Sequence, residues 1–318
     1  MAGGGGHTGY AFTLAQELKD RTELVFLVPD DDPLTRMRLE PLGEVRTLVK
    51  PRHPRTPFYE FAPRLFLSLV QSLIRVPGDY DVAVCTGSNF CIFPSLVSRL
   101  RGMVLINLES ADRFTSPSRT AKILRPFANV TALQWEDQKR ILKGIVFGPF
   151  LPEKRIEPYN GGYVLIACGT YGYEELLDAA SDSSMQEVVL QTGPVSPEKY
   201  VKKHPNWTAF KTSDEFYRYV AGARVVVAPP GATPLEAVTY GKPVVIVRYP
   251  WWSRAGTNED ARLFAEKMNA TLLSNISSEA LKKAVDDAEK RPRPRLTNGA
   301  RLMAEYIIRI GSDEQMYY

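Results

Sequence analysis

The chain has 318 residues, of which 44% are hydrophobic and 24% charged; this suits a folded chain of two ordinary domains and excludes wholesale disorder. A net charge of +4 is too small to argue for a nucleic-acid partner, yet it is compatible with an anionic lipid surface or phosphorylated substrates. Three cysteines without a CxxC pair (Cys85, Cys91 and Cys168) point to a reducing compartment and buried inert thiols, and argue against a zinc site. No signal peptide is visible, and no run of about 18 apolar residues marks a membrane-spanning helix.

The chain opens on Gly3-Gly4-Gly5-Gly6-His7-Thr8-Gly9, ahead of a helical pattern over residues 8–19. Glycines permit positive φ and close approach of the backbone, so the turn can aim N–H groups and a helix N-terminus at an anion. Thr8 is read as the helix cap. His7, at the tip, is read as a general base toward a sugar hydroxyl, because an imidazole titrates near neutrality. Such a turn normally follows a strand, and only Met1 and Ala2 precede it. We therefore expect either a first strand upstream of this start, the preferred reading, or a sheet one strand short; an upstream extension would have room for a membrane helix.

A buried strand is predicted over residues 23–28. Asp30-Asp31-Asp32 follows it and precedes Pro33, which suits a solvated acidic loop rather than a metal-binding DxD. Lys50-Pro51-Arg52-His53-Pro54-Arg55 then leads into an apolar, aromatic-rich helix over residues 58–74. A basic lead-in and an apolar helix can lie at a lipid interface; we expect this helix to pack mostly on the sheet with its first turn, including Phe58, exposed. Strands over 81–85 and 103–107 flank a helix over 92–101. Glu109 falls at the end of the second of these strands, at the carboxyl edge of the sheet.

Residues 149–162, with three prolines, a charge cluster and Gly161-Gly162, break both periodicities and mark a boundary between halves 1–150 and 151–318. The second half repeats the alternation, with strands over 163–168, 224–228 and 243–247 and helices over 173–180, 214–221, 233–240, 257–268 and 278–290. The terminal helix over 296–309 packs on its own half or crosses back; the sequence leaves this open. Strand 163–168 ends in Gly169-Thr170-Tyr171-Gly172, which can offer N–H and hydroxyl donors to a β-phosphate. Strand 224–228 ends in Pro230-Gly231-Ala232-Thr233-Pro234-Leu235-Glu236. There the amides of Gly231, Ala232 and Thr233 can cradle a diphosphate, Pro234 is tolerated in the first helical turn, and Glu236 can accept from ribose hydroxyls. The alternation predicts an α/β fold of two Rossmann-like domains facing a cleft. Two anion sites, one per half, suggest an enzyme that holds two phosphate-bearing substrates.

These segments resemble the MurG-like group of GT-B glycosyltransferases, and most closely a fusion of the two subunits of the eukaryotic UDP-GlcNAc transferase that makes dolichyl-diphosphate chitobiose. The first half carries the glycine turn, Thr86-Gly87-Ser88-Asn89, Leu108-Glu109-Ser110-Ala111-Asp112-Arg113 and Gln134-Trp135. The second carries Cys168-Gly169-Thr170, Pro230 to Ala237, Gly241-Lys242-Pro243 and Thr257-Asn258-Glu259-Asp260. Two departures stand out: Pro229-Pro230-Gly231 replaces the usual His-Ala-Gly, and Asn258-Glu259-Asp260 the usual Asn-His-Gln.

The resemblance implies inverting transfer of a sugar, GlcNAc above others, from a UDP-sugar to a polyprenyl (di)phosphate-linked acceptor. The site would be cytoplasmic and peripheral on the inner face of the membrane. His7 and Glu109 would be catalytic, Glu109 orienting His7 or binding the acceptor. Gly4, Gly5, Gly6, Thr8, Gly87, Ser88 and Arg113 would meet the acceptor. Gly169, Thr170, Gly231, Ala232, Thr233, Glu236, Asn258 and Asp260 would hold the donor. The leaving diphosphate is expected to be stabilised by amides and helix dipoles, without a cofactor or Mg2+. A UDP-sugar 2-epimerase of the same architecture and a non-catalytic membrane scaffold are the alternatives.

Overall fold

The computed structural model describes residues 1–53, 56–249 and 256–312. Arg55, part of the basic lead-in, and the side chain of Phe58 lie outside the described residues. The chain forms two compact units, Met1–Phe150 together with the segment from Thr297, and Leu151–Leu296.

In the first unit the strands are β1 (Val25–Pro29), β2 (Glu44–Leu48), β3 (Val82–Cys85), β4 (Val104–Leu108), β5 (Val130–Leu133) and β6 (Ile145–Val146). Its helices up to the crossover are α1 (Gly6–Leu18), α2 (Pro33–Leu39), α3 (Phe58–Arg75), α4 (Ile92–Leu100) and α5 (Arg119–Leu124). β1 pairs with β2, and β3 to β6 form a second ladder; every pairing is parallel. Met1 and Ala2 stand in the slot between the two ladders. The Ala2 amide donates to Leu27 O (3.0 Å), the Met1 amine donates to Val84 O (2.8 Å), and the Thr86 amide donates to Met1 O (3.4 Å). They occupy the position of a first strand, and the order β2-β1-(Met1–Ala2)-β3-β4-β5-β6 is that of a doubly wound sheet. Its winding reverses between the stub and β3, where such sheets bind ligands. Leu27, Leu48, Cys85, Leu105 and Phe90 form the core beneath this point.

In the acidic loop and on α3, polar side chains find local partners that the sequence did not reveal, although Asp30, Asp31 and, in the first turn of α3, Tyr59 are exposed as expected. Asp32 is the cap of α2: its carboxylate accepts from the Thr35 amide (3.0 Å) and from the Thr35 hydroxyl (2.6 Å). Asp31 pairs with His53 (2.7 Å). Asp32 is thus tied into the fold, while Asp30 and Asp31 remain exposed to solvent. On α3, Ser68, Gln71 and Ser72 face inward. Ser68 and Ser72 are buried, Ser72 Oγ donates to Ser68 O (2.7 Å), and Gln71 accepts from the Val49 amide (2.7 Å). Tyr59, Phe66, Leu67, Leu73 and Ile74 are left exposed, Ile74 by 73%. Amphipathic periodicity specifies a helix and two faces, but not which face the sheet receives.

The second unit carries β7 (Val164–Ala167), β8 (Val188–Gln191), β9 (Thr208–Phe210), β10 (Val225–Ala228), β11 (Val244–Val247) and β12 (Thr271–Leu273). They form one parallel sheet in the order β12-β11-β10-β7-β8-β9, reversing between β10 and β7. Helices α6 (Glu174–Ser181), α7 (Glu198–Lys203), α8 (Phe216–Gly222), α9 (Ala232–Thr239), α10 (Asn258–Lys267) and α11 (Ser278–Glu289) connect the strands. Every residue of β7, β8, β10 and β11 is buried, as strands covered on both faces must be.

The second unit ends at Leu296, and α12 (Gly299–Ser312) belongs to the first. Ala300, Met303, Ala304 and Ile307, at helical spacing, are its buried stripe, and α12 lies against α1 and β3. Asn298 Nδ2 donates to Glu17 (3.0 Å), and the Gly299 amide donates to Pro149 O (2.8 Å). The backbones are so close that a Cβ on Gly299 would lie 2.0 Å from Gly148 O. Gly299→Ala should therefore destabilise the first unit by about 1–3 kcal/mol, seen as a lower denaturation midpoint; an unchanged midpoint would show that the α12 seat yields freely.

Candidate active site

The chemistry-bearing turns gather at the carboxyl edges of the two sheets, each at its own reversal point. In the first unit the stub leads into Gly3–Gly6 and α1, and β3 leads into Thr86-Gly87-Ser88. The two loops interlock. A Cβ on Gly3 would lie 2.4 Å from Gly87 O and from Ser88 Cβ, and a Cβ on Gly87 would lie 2.5 Å from His7 Nδ1. Gly4 (φ 86°), Gly5 (φ 59°) and Gly87 (φ 108°) adopt backbone angles that only glycine takes readily, and Ser88 (φ 75°) is held in the same region. The amides of Gly4, Gly5 and Gly6 have no acceptor among the described residues, and the first turn of α1 contains no acid. This is a helix terminus disposed to receive an anion.

His7 Nδ1 lies 2.7 Å from Thr86 O. A carbonyl only accepts, so Nδ1 carries the proton and Nε2 keeps its lone pair. Burial pushes the imidazole down to about 4; the bond to Thr86 opposes this, and the charges of Lys50 and Arg113 add to it. His7 is therefore neutral at physiological pH and basic at one defined nitrogen. Lys50 Nζ donates to Gly3 O (2.9 Å) and lies 3.3 Å from where a Gly4 Cβ would stand. This places a mostly buried cation against the glycine turn. The sequence reading assigned Lys50 only to a basic run, and no local signal tied it to a turn so distant in sequence.

Thr8 does not cap α1. Gly5 is the cap residue, and the buried Thr8 hydroxyl bonds that of Thr35 (2.7 Å), turned away from any acceptor. Glu109 does not orient His7 either. It is fully buried, and its carboxylate accepts the amides of Ser110 (2.8 Å) and Ser118 (2.9 Å). Burial raises its carboxyl to about 6 against the pull of those amides and of Arg113. Glu109 is thus a bracket for the loop after β4.

Gln134, Trp135 and Gln138 hold the same loop. Gln134 Nε2 donates to Glu109 O (2.9 Å), Trp135 Nε1 donates to Ala111 O (2.7 Å), and Gln138 Nε2 donates to Ser110 O (2.8 Å) and Arg113 O (2.9 Å). The Tyr10 hydroxyl accepts from the Ala111 amide (3.1 Å), and its ring sits edge-on to His7 at 6.4 Å. Sequence reasoning missed Tyr10 and Gln138. Arg113 is the member of this loop whose charge reaches both His7 and Glu109.

In the second unit β10 ends in Pro229-Pro230, and Gly231 (φ 146°) caps α9. The amides of Gly231, Ala232 and Thr233 have no acceptor among the described residues and lie at a partly exposed helix terminus with no acid in its first turn. Glu236 sits one turn further and is partly exposed.

The turn after β7 differs. The Gly169 amide donates to Gln191 Oε1 (2.8 Å), and Gly172 (φ 73°) packs on the Thr192-Gly193 loop, so this amide is already committed and Gly169 cannot offer it to a phosphate. Thr170 remains exposed. Asn258 opens α10 and is exposed. Asp260 is buried, and its Oδ2 accepts both the amide (2.8 Å) and the hydroxyl (2.9 Å) of Thr257, whose Oγ1 accepts in return from the Asp260 amide (3.0 Å). This is a capping box, a signal legible in Thr257-x-x-Asp260, and it corrects the sugar-binding assignment.

The structure thus brings His7, Gly87, Ser88 and Lys50 together on the first edge and Gly231, Ala232 and Thr233 on the second. Asp260→Ala should lower stability by about 1 kcal/mol in thermal unfolding and leave UDP affinity by calorimetry unchanged; weakened UDP with unchanged stability would restore a ligand role.

Residues 163–305 match the glycosyltransferase family 28 C-terminal domain. The chain is 28% identical over 154 residues to the UDP-N-acetylglucosamine transferase subunit alg14 of Schizosaccharomyces pombe, covering 42% of this chain and 73% of that protein. Among solved structures it is similar to MurG of Acinetobacter baumannii (14% identity, TM-score 0.59, 96% of this chain and 98% of that one). It is also similar to a putative UDP-N-acetylglucosamine 2-epimerase of Listeria monocytogenes (13% identity, TM-score 0.66, 96% and 92%). At these identities the structural likeness is one of fold.

Proposed function

We propose that the chain is a MurG-like GT-B glycosyltransferase related to alg14, and that it transfers GlcNAc, with inversion, from UDP-GlcNAc to a polyprenyl (di)phosphate-linked acceptor at the inner face of a membrane. The observation that carries this reading is His7. One imidazole nitrogen is held by Thr86 O and the other is basic, beside a glycine turn with uncommitted amides and a cation. In this reading the acceptor's phosphate sits on the amides of Gly4, Gly5 and Gly6, drawn by Lys50 and Arg113. His7 Nε2 takes the proton of the attacking hydroxyl as that oxygen bonds the anomeric carbon. The bond to UDP breaks, and the departing diphosphate is stabilised by the amides of Gly231, Ala232 and Thr233 at the start of α9, with Glu236 on the ribose. GlcNAc as the donor sugar follows from the likeness to alg14, a UDP-N-acetylglucosamine transferase subunit.

A radiolabelled UDP-GlcNAc assay with and without polyprenyl diphosphate-GlcNAc tests the reaction. Label should enter the lipid phase, and His7→Ala should lower kcat by about 100-fold or more with little change in donor KM. A general base works unprotonated, so an imidazole at about 4 should keep kcat/KM from falling through the ordinary histidine range near 6.5; the decline should come below pH 5. Free UDP-ManNAc formed without lipid would instead identify an epimerase, and wild-type turnover by His7→Ala would remove the base.

Membrane recruitment is the second part of the proposal. It is supported by the exposed apolar face of α3 and by Lys50, Arg52 and Arg64 around the start of that helix. Among the described residues no helix is long and apolar enough to cross a membrane. Phe66→Ser with Ile74→Ser should abolish flotation with vesicles containing anionic lipid while leaving UDP affinity intact. Flotation equal to wild type would exclude this face as the contact.

A further inference from the structure

The edge assigned to the donor contains a cation that the mechanism above does not use. Arg248 directly follows β11, and its Nε is buried with no hydrogen-bond partner among the described residues. A buried N–H without an acceptor is disfavoured in a folded protein. On a guanidinium the imbalance is greater.

The position of Arg248 indicates what the missing partner is. The register pairs Ala228 with Ile246, and continued two residues it sets Arg248 level with Pro230, next to Gly231. The pairing of Val227 with Ile166, continued three residues, sets Pro230 level with Gly169. Arg248 therefore stands on the same rim as the α9 terminus. Its backbone is fixed there, because the Tyr173 hydroxyl donates to Arg248 O (3.0 Å) and the neighbouring Tyr249 hydroxyl donates to Cys168 O.

The rim needs positive charge. Pro229 and Pro230 have no N–H, the Gly169 amide is taken by Gln191, and no basic residue lies in the first turn of α9. At the α9 terminus the amides of Gly231, Ala232 and Thr233 face a ligand with two or more negative charges, with no basic side chain in that turn. We propose that Arg248 binds an anionic oxygen of the donor on this rim and sets donor preference. The planar fork of a guanidinium matches a phosphate of the UDP or a carboxylate on the transferred sugar. The proposal rests on the UDP-sugar reading given above.

Isothermal titration of the full-length protein with uridine, UDP, UDP-GlcNAc and UDP-glucuronate tests it. Arg248→Gln should bind UDP about tenfold or more weakly and uridine as the wild type does, and Arg248→Lys should recover part of the loss. UDP affinity unchanged but UDP-glucuronate weakened relative to UDP-GlcNAc would also support the proposal and assign the sugar carboxylate. Thermal melting without ligand checks that each variant folds; if the Gln variant does not, the loss of UDP over uridine affinity in the Lys variant decides. Equal affinities of wild type and variants for all four compounds, or equal loss of uridine and UDP, would overturn it. A wild-type protein that fails to bind UDP would instead remove the UDP-sugar reading itself.

Discussion

The first edge depends on two glycines that leave room for each other's loops. Without a side chain on Gly3, the loop after β3 closes onto the stub; without one on Gly87, the Nδ1 edge of the His7 ring comes close against that loop. A Cβ placed on Gly3 would lie 2.4 Å, and one on Gly87 2.5 Å, from its nearest neighbours, below any real contact distance. The consequences run outward from this fit. Thr86 O meets Nδ1, which fixes the tautomer, and the buried ring is held neutral. Lys50 reaches Gly3 O, and Tyr10, two residues into the helix from Thr8, carries the same constraint to the Ala111 amide. A chain of ordinary hydrogen bonds about a tight glycine contact thus specifies one basic nitrogen.

Counting committed amides separates ligand-facing turns from turns that only resemble them. Glycine-rich sequence after a strand is common to residues 3–6, 169–172 and 230–233, but Gln191 already occupies the amide of Gly169. The same count applies to carboxylates. Glu109 spends its oxygens on Ser110 and Ser118, and Asp260 spends Oδ2 on Thr257. A buried carboxylate is stable only when hydrogen-bonded, so a fully enclosed acid near a site is more often the bracket of a loop than a hand on the substrate. The bracketed loop then presents Arg113, whose charge is felt by both His7 and Glu109.

Several inner strands were legible because burial on both faces writes them as unbroken apolar runs, as in Val225–Ala228 and Val244–Val247. β5 and β8 are also inner strands, and these short runs were passed over. The edge strands β2 and β9 were not legible. Glu44–Leu48 is half-exposed and mixes charge with apolar residues, and Thr208–Phe210 is three residues long. Of the site, the glycine turns and His7 stood out because their residue types serve few other purposes. Lys50 and Tyr10 did not, since their value lies in partners 47 and 101 positions away. Thr8 and Asp260 were misread in opposite ways: the helix began two residues earlier than its apparent cap, and a true capping box was taken for a ligand pair.

The inverted face of α3 bears on the acceptor as well as on the membrane. Each large apolar side chain left in water forgoes roughly 1.5–3 kcal/mol of burial, and Tyr59, Phe66, Leu67, Leu73 and Ile74 lie on one helix. A fold with Ser68 and Ser72 inside and these residues outside is poorly explained by the stability of the unit alone. The helix is also coupled to the turn: Arg64 Nε donates to Lys50 O (3.1 Å), and Lys50 Nζ donates to Gly3 O (2.9 Å). On the proposed reading, a surface that engages lipid through α3 shares its fixing points with the turn that receives a lipid-linked phosphate. Docking to the bilayer and ordering of the acceptor turn then draw on the same two hydrogen bonds.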